Sequence, residues 1–567
     1  MRSFFWWLMV AGAALGAGAA HAAPPAGPAG AAQTADAAPP AGAANAAPPA
    51  GAADAAPPAG APSRAANTFP LVFSDGSGQI EWVSPSSFRY LRSWAPPERI
   101  KEPLTPKPVA LQVSESATAF SFKSRYVKVE VAKSGGWLAV SAGGGEASVE
   151  FRFRRQDGRA IVEQRSPAAE RFYGLGGRDA ARFNLRGSAV QTRDALLLSS
   201  AGYAEFYPRA GVYRFDLASA RPDTVEAVAP EERIEFFFYY GPTPKEIFEE
   251  HLVVTGPVER FGAADFAVRK PRGAAGGGSW ETLAATIRTL LSAGLSAQLI
   301  PEFDLAPYAK ADAGLLARAA QVACLMPILR APEGGAEFRE SLRWRERLEP
   351  YLLSYTKEAQ DRGVPVLRPL EIDSMADAAA LERSGELKLG DELLVAPVLK
   401  PAGPLTVYLP RGVWTDLASE EAFEGRKEIQ VRPHPGQIAT FAKNGTIVPL
   451  RPESGDALEL HYFPTLPAEF FLFEEADEDI SQFHAAPAGD LVRFEIESRV
   501  GRVYDWVIHH AGTCRTVQGG GVEYTPVAEP SQLAPGRWYA DSARKLLRIR
   551  VRSVAGGDEI VHVTWGT

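Results

Sequence analysis

The stretches GDELLVAPV, residues 390–398, and YLPRGVW, residues 408–414, decide the fold class of the chain. In the first, a Gly-Asp-Glu turn leads into an apolar run that ends at Pro397. In the second, an apolar segment ends at Pro410, ahead of a glycine turn. Short apolar runs between turn residues are typical of buried β-strands. We therefore predict strands over 393–399 and 405–409.

More short strands follow toward the C-terminus, and turn residues separate them. They are predicted over residues 446–450, 470–473, 546–551 and 560–564. The proline, the glycine and the acidic residues of 452–456 indicate a seam between two modules. We predict a proximal C-terminal β domain over 364–452 and a distal one over 453–567.

Working back toward the N-terminus, residues 68–255 have a period of two. Val127, Val129 and Val131 alternate with charged residues, and residues 234–240 form an aromatic run. Clusters of glycine and proline separate such segments, as expected of antiparallel strands that stack into a sandwich. An N-terminal β-sandwich is the prediction for this region.

Between residues 256 and 363 the period becomes helical. Leu283, Ile287, Leu290 and Leu291 share one face of a helix that Ser279 can begin and that a glycine at 294 can end. An apolar segment over 295–303 follows, and then helices over 315–325 and 342–360. Pro350 should kink the last helix, and Gly363 should end it. This order predicts an α/β region.

The first 67 residues are not expected to form part of a packed domain. Residues 1–23 combine one cation, an apolar run and an Ala-His-Ala site, the plan of a secretory signal peptide; an uncleaved anchor helix is the alternative. Residues 24–67 repeat D/N-A-A-P-P-A-G-A, which predicts a disordered linker. The expected location is therefore exported, either periplasmic or secreted, with no membrane span in the mature chain.

Composition narrows the function classes. The chain has 60 Lys and Arg against 68 Asp and Glu, a net charge of −8, so a nucleic-acid partner is not expected. Cys324 and Cys514 lack partners at metal-ligand spacing, which excludes a zinc finger and a C-x-x-C redox site and leaves one disulfide possible. The acidic run over 474–479 offers a calcium site or a solvated turn. We expect no cofactor and no metal.

Several motifs resemble glycoside hydrolase family 31, the family of α-glucosidases and α-xylosidases. They are FYGLGG at 172–177 with NLRG at 184–187, GPTPK at 241–245, RLEPYLLSYTKEAQDRGVPVLRP at 347–369, and the two stretches quoted first. The resemblance implies a galactose-mutarotase-like β-sandwich, a (β/α)8 barrel and two C-terminal β domains. It also implies retaining hydrolysis of α-glycosides by an Asp nucleophile and an Asp acid/base.

The centre of the chain departs from that family. Only 86 residues, 257–342, stand where a complete barrel needs about 250, so a truncated (β/α)8-barrel remnant is expected over 256–363. The family's nucleophile motif is not found there. Glycines and alanines at 273–278 replace the acid/base motif, and Pro332 stands where the family has a histidine. The hydrolytic machinery therefore looks degenerate.

Four residues remain as candidates for a site. Glu302 and Asp304 lie two apart on a predicted strand, hence on one face, and are the only candidate catalytic carboxylates. Asp194, Asp304 and Arg330 are candidates for substrate binding, and Arg330 is expected to pair with Asp304. Trp280, Trp344 and Trp414 could each stack against a sugar, although Trp344 fits a buried helix stripe better.

These observations favour an exported, family 31-like protein that is catalytically inactive, a pseudoenzyme. It would bind an α-glucan-type oligosaccharide or serve a structural or partner-binding role. An active α-glycosidase that uses non-standard carboxylates is the alternative. Missing barrel strands would leave sheet edges that need cover, so we expect local rearrangement, self-association or a protein partner over the incomplete barrel.

Overall fold

The computed structural model of the protein describes residues 67–566 except 95–107, 146, 177–182, 259, 333–337, 371, 373–376, 378, 381–382, 435, 475–478 and 555–558. The predicted signal peptide and nearly all of the predicted linker lie outside the described residues. No helix of the described part is both long and apolar enough to span a membrane.

The part of the N-terminal region that the structure describes contains sixteen strands. They are β1 (Thr68–Phe73), β2 (Gly76–Ser84), β3 (Ser87–Ser93), β4 (Gln112–Glu115), β5 (Ala119–Lys123), β6 (Val127–Ala132), β7 (Leu138–Ala142), β8 (Ala147–Gln156), β9 (Arg159–Arg165), β10 (Phe172–Gly174), β11 (Ala189–Thr192), β12 (Leu196–Ser199), β13 (Tyr203–Phe206), β14 (Tyr213–Leu217), β15 (Thr224–Val228) and β16 (Arg233–Tyr240).

These strands form two antiparallel sheets, a seven-stranded one in the order β1-β2-β3-β16-β13-β12-β10 and a nine-stranded one in the order β11-β14-β15-β9-β8-β7-β6-β5-β4. The alternation predicted for β6 is present, because Val127, Val129 and Val131 are buried and Lys128 is exposed. A shared core between the sheets includes Phe151, Phe236 and other aromatic side chains.

The described residues of the central region include four α-helices and two strands. They are α1 (Pro244–Thr255), α2 (Trp280–Gly294), strand β17 (Glu302–Asp304), α3 (Ala313–Ala323), strand β18 (Ile328–Arg330) and α4 (Arg339–Arg362). Helix α2 begins as predicted, since the Ser279 hydroxyl accepts a hydrogen bond from the amide of Thr282. Helix α4 contains Pro350 and ends before Gly363, whose φ of 72° suits glycine.

Strands β17 and β18 are parallel neighbours, with Asp304 opposite Arg330. A single further bridge, also parallel, joins Arg269 to Arg330 on the other side of β18. The backbone amide of Leu305 donates to the carbonyl of Arg330, and that of Arg269 donates to the carbonyl of Leu329. The described residues of this region thus form a short parallel arc with β18 at its middle.

Among its described residues, the C-terminal region contains twenty strands in four sheets. The first eight are β19 (Leu367–Arg368), β20 (Leu387–Leu389), β21 (Leu393–Ala396), β22 (Leu405–Leu409), β23 (Val413–Asp416), β24 (Ala422–Glu424), β25 (Lys427–Val431) and β26 (Ala439–Lys443). They form the six-stranded sheet β19-β20-β21-β26-β23-β24 and the pair β22-β25, which we call the proximal sheets.

The remaining strands form two more six-stranded sheets, which we call the distal sheets: β27-β28-β32-β37-β36-β35 and β29-β30-β31-β38-β33-β34. Their bounds are β27 (Thr446–Leu450), β28 (Leu458–Phe463), β29 (Ala468–Glu474), β30 (Asp479–Ala488), β31 (Leu491–Glu497), β32 (Val503–Ile508), β33 (Cys514–Gly519), β34 (Val522–Glu523), β35 (Thr525–Pro526), β36 (Arg537–Asp541), β37 (Leu546–Arg552) and β38 (Glu559–Trp565).

The seam between the proximal and distal sheets differs from the prediction. Strand β27 pairs with β28, so the chain changes sheet at Asn444–Gly445, and the predicted seam at 452–456 is the loop of a hairpin. Gly445 has a φ of 80° and its amide donates to the carbonyl of Phe463, which makes the turn possible there. The turn residues of 452–456 were correctly identified as a break, but they connect two strands of one sheet.

Candidate functional site

The two carboxylates predicted from the sequence both lie on β17, where Glu302 is the first residue and Asp304 is the last, at the carboxyl end. Both Glu302 and Asp304 are half-buried, on the same face of the strand. Open α/β sheets and barrels place their ligands at the carboxyl ends of parallel strands, so this is the position where a family 31 site is expected. The partners of the two carboxylates decide what they can do there.

Glu302 is held by cations. The Arg330 Nε donates to Oε1 of Glu302 over 2.8 Å, and an Arg272 nitrogen lies 3.3 Å from the same oxygen. The pairing predicted for Arg330 was with Asp304, and here the structure differs. Register places Asp304 opposite Arg330, but the long Arg330 side chain reaches Glu302 and the carbonyl of Lys270, because backbone amides already occupy both oxygens of Asp304.

Asp304 caps a loop. Its Oδ2 accepts hydrogen bonds from the backbone amides of Arg272 (2.8 Å) and Gly273 (3.3 Å), and its Oδ1 accepts one from the amide of Ala306 (2.9 Å). The ionised carboxylate is an acceptor that satisfies these three donors together. Its role in the described structure is to fasten residues 272–273 across the end of β17.

The glycine-rich segment after Gly273 continues over this strand end. The amides of Gly276 and Gly278 donate to the carbonyls of Ala306 and Pro307. A Cβ on Gly278 would lie 2.5 Å from a ring carbon of Tyr308, so the backbone of the loop packs directly on the turn that follows β17. The glycine-rich segment thus lies over the turn that follows β17.

Asp194 lies in a different set of contacts. It is exposed in the loop between β11 and β12, and its amide donates to the Thr192 hydroxyl. A Cβ on Gly176 would approach its carboxylate to 3.0 Å, and the amide of Gly176 donates to the Ser296 hydroxyl. Ser296 precedes β17, whereas Asp304 ends it, so these contacts do not bring Asp194 together with Asp304.

The three candidate tryptophans have different surroundings. Trp414 is buried and its Nε1 donates to the carbonyl of Pro410, so its ring cannot receive a ligand. Trp280 packs against the core at the start of α2. Trp344 was expected in the buried stripe of α4, but it is half-buried, and it lines a cavity of about 870 Å³ that sequence reasoning did not anticipate.

We call this cavity the Trp344 groove. It lies between α3, α4 and the loop before β26, and its walls include Gln321, Glu340, Trp344, His434, Gln437 and Thr440. Arg318 on α3 fastens the far wall, because its guanidinium donates to the carbonyls of His434 (3.1 Å) and Gln437 (2.7 Å). An aromatic ring among hydrogen-bonding side chains suits a ligand with both apolar and hydroxyl surfaces.

A second cavity of about 550 Å³ adjoins the groove and shares Trp344, Arg347, Leu417, Pro452 and Glu453 with it. The guanidinium of Arg347 stands at the boundary. It lies 5.9 Å from the Trp344 ring centroid and donates to Glu453 and Glu459, each over 2.9 Å. This arrangement ties α4 to the distal sheets along the floor of both cavities.

The cysteines and the described residues of the acidic run have other surroundings. Cys324 and Cys514 are both free, and burial raises the pKa of Cys324 to about 12. Within the described ranges, no group of three or more His, Cys, Asp or Glu side chains is placed to hold a metal ion. Glu474 is occupied by Ser481 and Arg502, and residues 475–478 of the acidic run lie outside the described residues.

Comparison with known proteins supports the family resemblance that the sequence motifs indicated. A model of the glycosyl hydrolase family 31 C-terminal domain matches residues 363–448. A 1,6-alpha-glucosyltransferase of Sporosarcina globispora is 33% identical over 115 residues, which are 20% of this chain and 9% of that protein. The alpha-glucosidase 2 of Bacillus thermoamyloliquefaciens is 24% identical over 295 residues, 45% of this chain and 37% of that one. The resemblance to glycoside hydrolase family 31 is confirmed.

Solved structures of family 31 extend the likeness to most of the fold. A dextranase of Flavobacterium johnsoniae, solved with glucose, superposes with a TM-score of 0.76 at 16% identity and covers 87% of this chain and 97% of that one. An α-xylosidase of Xanthomonas citri gives 0.66 at 12% identity and covers 78% and 96%. These likenesses show a mainly β family 31 fold, whereas the chain spans less than two fifths of the sequence relatives named above.

Proposed function

We propose that this chain is an exported, carbohydrate-binding member of the family 31 fold that does not hydrolyse glycosides. The observation that carries the proposal is the capping role of Asp304. Both of its oxygens accept backbone amides, and the loop that supplies those amides lies over the strand end. An α-glycosidase needs this position open and its carboxylates directed at the substrate.

Retaining hydrolysis sets a strict geometric requirement. It needs two carboxyl groups about 5 to 5.5 Å apart, one of them protonated, on either side of a glycosidic bond. The Glu302 carboxylate is engaged by the guanidinium groups of Arg330 and Arg272, and that of Asp304 by three backbone amides. Both carboxylates therefore contact the protein's own groups, which does not match the geometry that hydrolysis requires.

We further propose that the central region is a truncated barrel. In the described residues of this region, β17 and β18 pair in parallel and Arg269 bridges β18 on its other side. Three neighbouring chain segments in parallel order are what remains when the middle of a closed barrel is missing. The Gly276–Ala306 and Gly278–Pro307 hydrogen bonds support the local rearrangement that such a loss requires.

Carbohydrate binding is supported by the Trp344 groove and by the sugar ligands bound in solved structures of similar proteins. The groove offers an aromatic ring, the amide of Gln437 and a carboxylate, Glu340, within one concavity of about 870 Å³. Solved relatives include a dextranase in complex with glucose and with isomaltotriose. We therefore place the ligand, an α-glucan-type oligosaccharide, in this groove and not at Asp304.

Isothermal titration with maltooligosaccharides and isomaltooligosaccharides tests the binding. We expect saturable heat for the full chain and at least a tenfold loss of affinity in Trp344→Ala, which removes the ring from the groove wall. Trp137→Ala is the matched control, because Trp137 is a partly exposed tryptophan in the N-terminal region. Absence of heat for every sugar would leave a structural or partner-binding role.

Hydrolysis of aryl α-glucosides and α-xylosides tests the competing class, an active α-glycosidase with non-standard carboxylates. We expect no turnover above the uncatalysed rate. Turnover that disappears in Glu302→Gln or Asp304→Asn would establish the enzyme and remove our proposal.

Cell fractionation tests the proposed export, and light scattering with increasing concentration tests self-association over the incomplete barrel.

A further inference from the structure

Four titratable side chains form one hydrogen-bonded chain beside the second cavity. Glu420 Oε2 lies 2.7 Å from His509 Nδ1, His509 Nε2 lies 3.0 Å from His461 Nδ1, and His461 Nε2 lies 3.1 Å from Glu459 Oε2. Both histidines are largely buried and both line the cavity of about 550 Å³. Of these residues, only Glu459 is described above, as an acceptor for Arg347.

The chain connects different parts of the fold. Glu420 belongs to the turn between β23 and β24 of the proximal sheets, whereas His461 is on β28 and His509 follows β32 in the distal sheets. Glu459, also on β28, accepts hydrogen bonds from Arg347 of α4 (2.9 Å) and Arg548 of β37 (2.8 Å). The histidine pair thus stands where the proximal sheets, the distal sheets and α4 meet.

The outer partners determine where the histidine protons must be. Burial opposes the charge of Glu459, but the hydrogen bond from His461 and the charge of Arg548 lower its pKa to about 2, so it is a carboxylate acceptor. The pKa of Glu420 is likewise held low by His509 against its burial. His461 Nε2 and His509 Nδ1 must therefore both donate, because an ionised carboxylate can only accept.

This assignment leaves a problem between the two rings. Neutral imidazole carries one proton, so if each outer nitrogen holds one, both inner nitrogens present lone pairs. They lie 3.0 Å apart. Two lone pairs at that distance repel, and a hydrogen bond forms only if one further proton occupies the space between them.

The ring geometry favours a proton over a metal ion. The ring centroids are 5.2 Å apart, which is the N···N distance plus roughly one ring radius of about 1.1 Å at each end, so the inner nitrogens point at each other. Two imidazoles that share a zinc ion at about 2.0–2.1 Å would meet at an angle instead. A linear N–H···N hydrogen bond fits the observed arrangement.

We propose that His461 and His509 bind a single proton between them and that this proton is a pH-sensitive fastening between the proximal and distal sheets. The proton belongs to His509, which is then an imidazolium that donates to Glu420 and to His461. Phe463 stacks on the His509 ring at 4.2 Å and 14°, and an aromatic face stabilises a cation in that position. The adjoining cavity gives the proton a route to solvent.

The assignment of the proton to His509 agrees with its neighbours. Burial lowers the pKa of His461 to about 4, so His461 stays neutral and acts as the acceptor. Charged and titratable groups surround the pair and the adjoining cavity: Glu420, Glu459, Arg347, Glu453, Arg548, Arg544, Lys545, His510, Asp505, Asp541 and Arg550.

The pH dependence follows from counting protons. Unfolded histidines titrate near pH 6.5, so above that pH the folded pair holds more protons than the unfolded chain and stability falls as pH rises. Below pH 6.5 the unfolded chain holds more, because His461 resists a proton down to about pH 4, and stability falls as pH decreases. The pair therefore contributes most near neutral pH.

Nitrogen-15 NMR of the full chain labelled at histidine tests the protonation directly. Near pH 7 we expect His461 as the neutral Nε2–H tautomer and His509 with both nitrogens protonated. Signals are assigned by their disappearance in His461→Gln and His509→Gln. Two neutral histidines near pH 7 would overturn the proposal, and so would a zinc-dependent shift of both inner nitrogens at stoichiometric Zn²⁺, which would make the cation a metal.

Urea denaturation between about pH 6.5 and about pH 8 tests the consequence. One proton released on unfolding makes the unfolding constant of the wild type rise by up to tenfold per pH unit. We expect His509→Gln to lose this alkaline slope and His484→Gln, a half-exposed histidine of β30, to keep it. An alkaline slope that His509→Gln retains would overturn the proposal, and NMR of the wild type decides the matter if the variant does not fold.

Discussion

The proximal sheets and the central region carry the same kind of motif and use it differently. Asp391, from GDELLVAPV, lies in the turn between β20 and β21, in the part of the chain that the family model matches. Asp304 is the last residue of β17, in the part where the barrel is expected. Asp391 faces three cations, Arg368, Lys245 and Lys388, whereas Asp304 faces three backbone amides.

The difference shows what keeps each region together. Around Asp391 the strands are buried and joined on both sides, and the cations hold its pKa far below the ordinary value despite its burial. Around Asp304, two three-residue strands depend on a loop for cover. A carboxylate within a family motif can therefore have a structural role. A motif that identifies the family does not by itself imply the family's chemistry.

The largest expected effect on stability comes from Arg368, in the proximal sheets. Arg368 is fully buried and donates to Glu358 (2.7 Å), Asp391 and the carbonyl of Pro365. Arg368→Ala removes a fully buried guanidinium and its hydrogen bonds, while Asp391 keeps Lys245 and Glu358 keeps Arg362, so we expect a cost of about 3 kcal/mol of unfolding free energy. Urea denaturation measures it, with the exposed Arg451→Ala, whose partner is Glu349, as a control near about 0–1 kcal/mol.

The same measurement on Arg330→Ala sharpens the contrast. Arg330 pairs with the half-exposed Glu302, so we expect a loss well below that of Arg368→Ala. If Arg330→Ala were the more damaging of the two, the central region would be held by buried charge as the proximal sheets are, and the comparison would be wrong.

The proximal sheets should also dominate the pH dependence that carboxyls cause. Burial raises the pKa of Glu386 to about 7, although the amide of Tyr408 opposes this by donating to its carboxylate. The folded state then binds more protons than the unfolded state between about pH 4.5 and about 7, so stability falls as pH rises through that window.

Glu386→Gln should reduce this fall by up to about 1.4 kcal/mol per pH unit, because Gln cannot ionise. Denaturation curves at several pH values in that range measure the slope. Glu453→Gln, on an exposed side chain, is the control and should leave the slope unchanged. An equal slope in Glu386→Gln would mean that its carboxyl ionises normally in the folded state.

The loop over Asp304 offers a smaller, steric test. A Cβ at Gly278 would meet Tyr308 at 2.5 Å and the carbonyl of Pro307 at 2.8 Å, so Gly278→Ala should cost about 1–3 kcal/mol and lift the loop. Gly273→Ala is the matched control, since a Cβ there has open space. Equal stability of the two variants would show that the loop does not pack on this turn.

Local features of the fold could be predicted from the sequence. The start of α2 at Ser279, the end of α4 at Gly363 and the alternation of β6 depend on neighbours within a few residues. The position of the seam could not, because Gly445 and the hairpin loop at 452–456 look alike as turns. Only the pairing of β27 with β28 distinguishes them.

The sites were harder to predict because their parts come from distant segments. Glu302 and Asp304 were correctly placed on one face, but the partner of Arg330 depended on which oxygens the 272–273 loop had already taken. The Trp344 groove needs the loop at 433–438 against α3 and α4, and no spacing in the sequence brings these together. The only local signal was a tryptophan between two arginines on one helix.

The smallest predicted effect separates a capping carboxylate from a catalytic one. Asp304 uses both oxygens as acceptors, so Asp304→Asn turns an amide nitrogen toward a backbone N–H and should cost about 1–2 kcal/mol. Asp312 caps α3 with one oxygen, which Asn supplies equally well, so Asp312→Asn should be neutral. Equal neutrality of both variants in urea denaturation would mean that Asp304 holds no loop and that its carboxylate is available to a sugar.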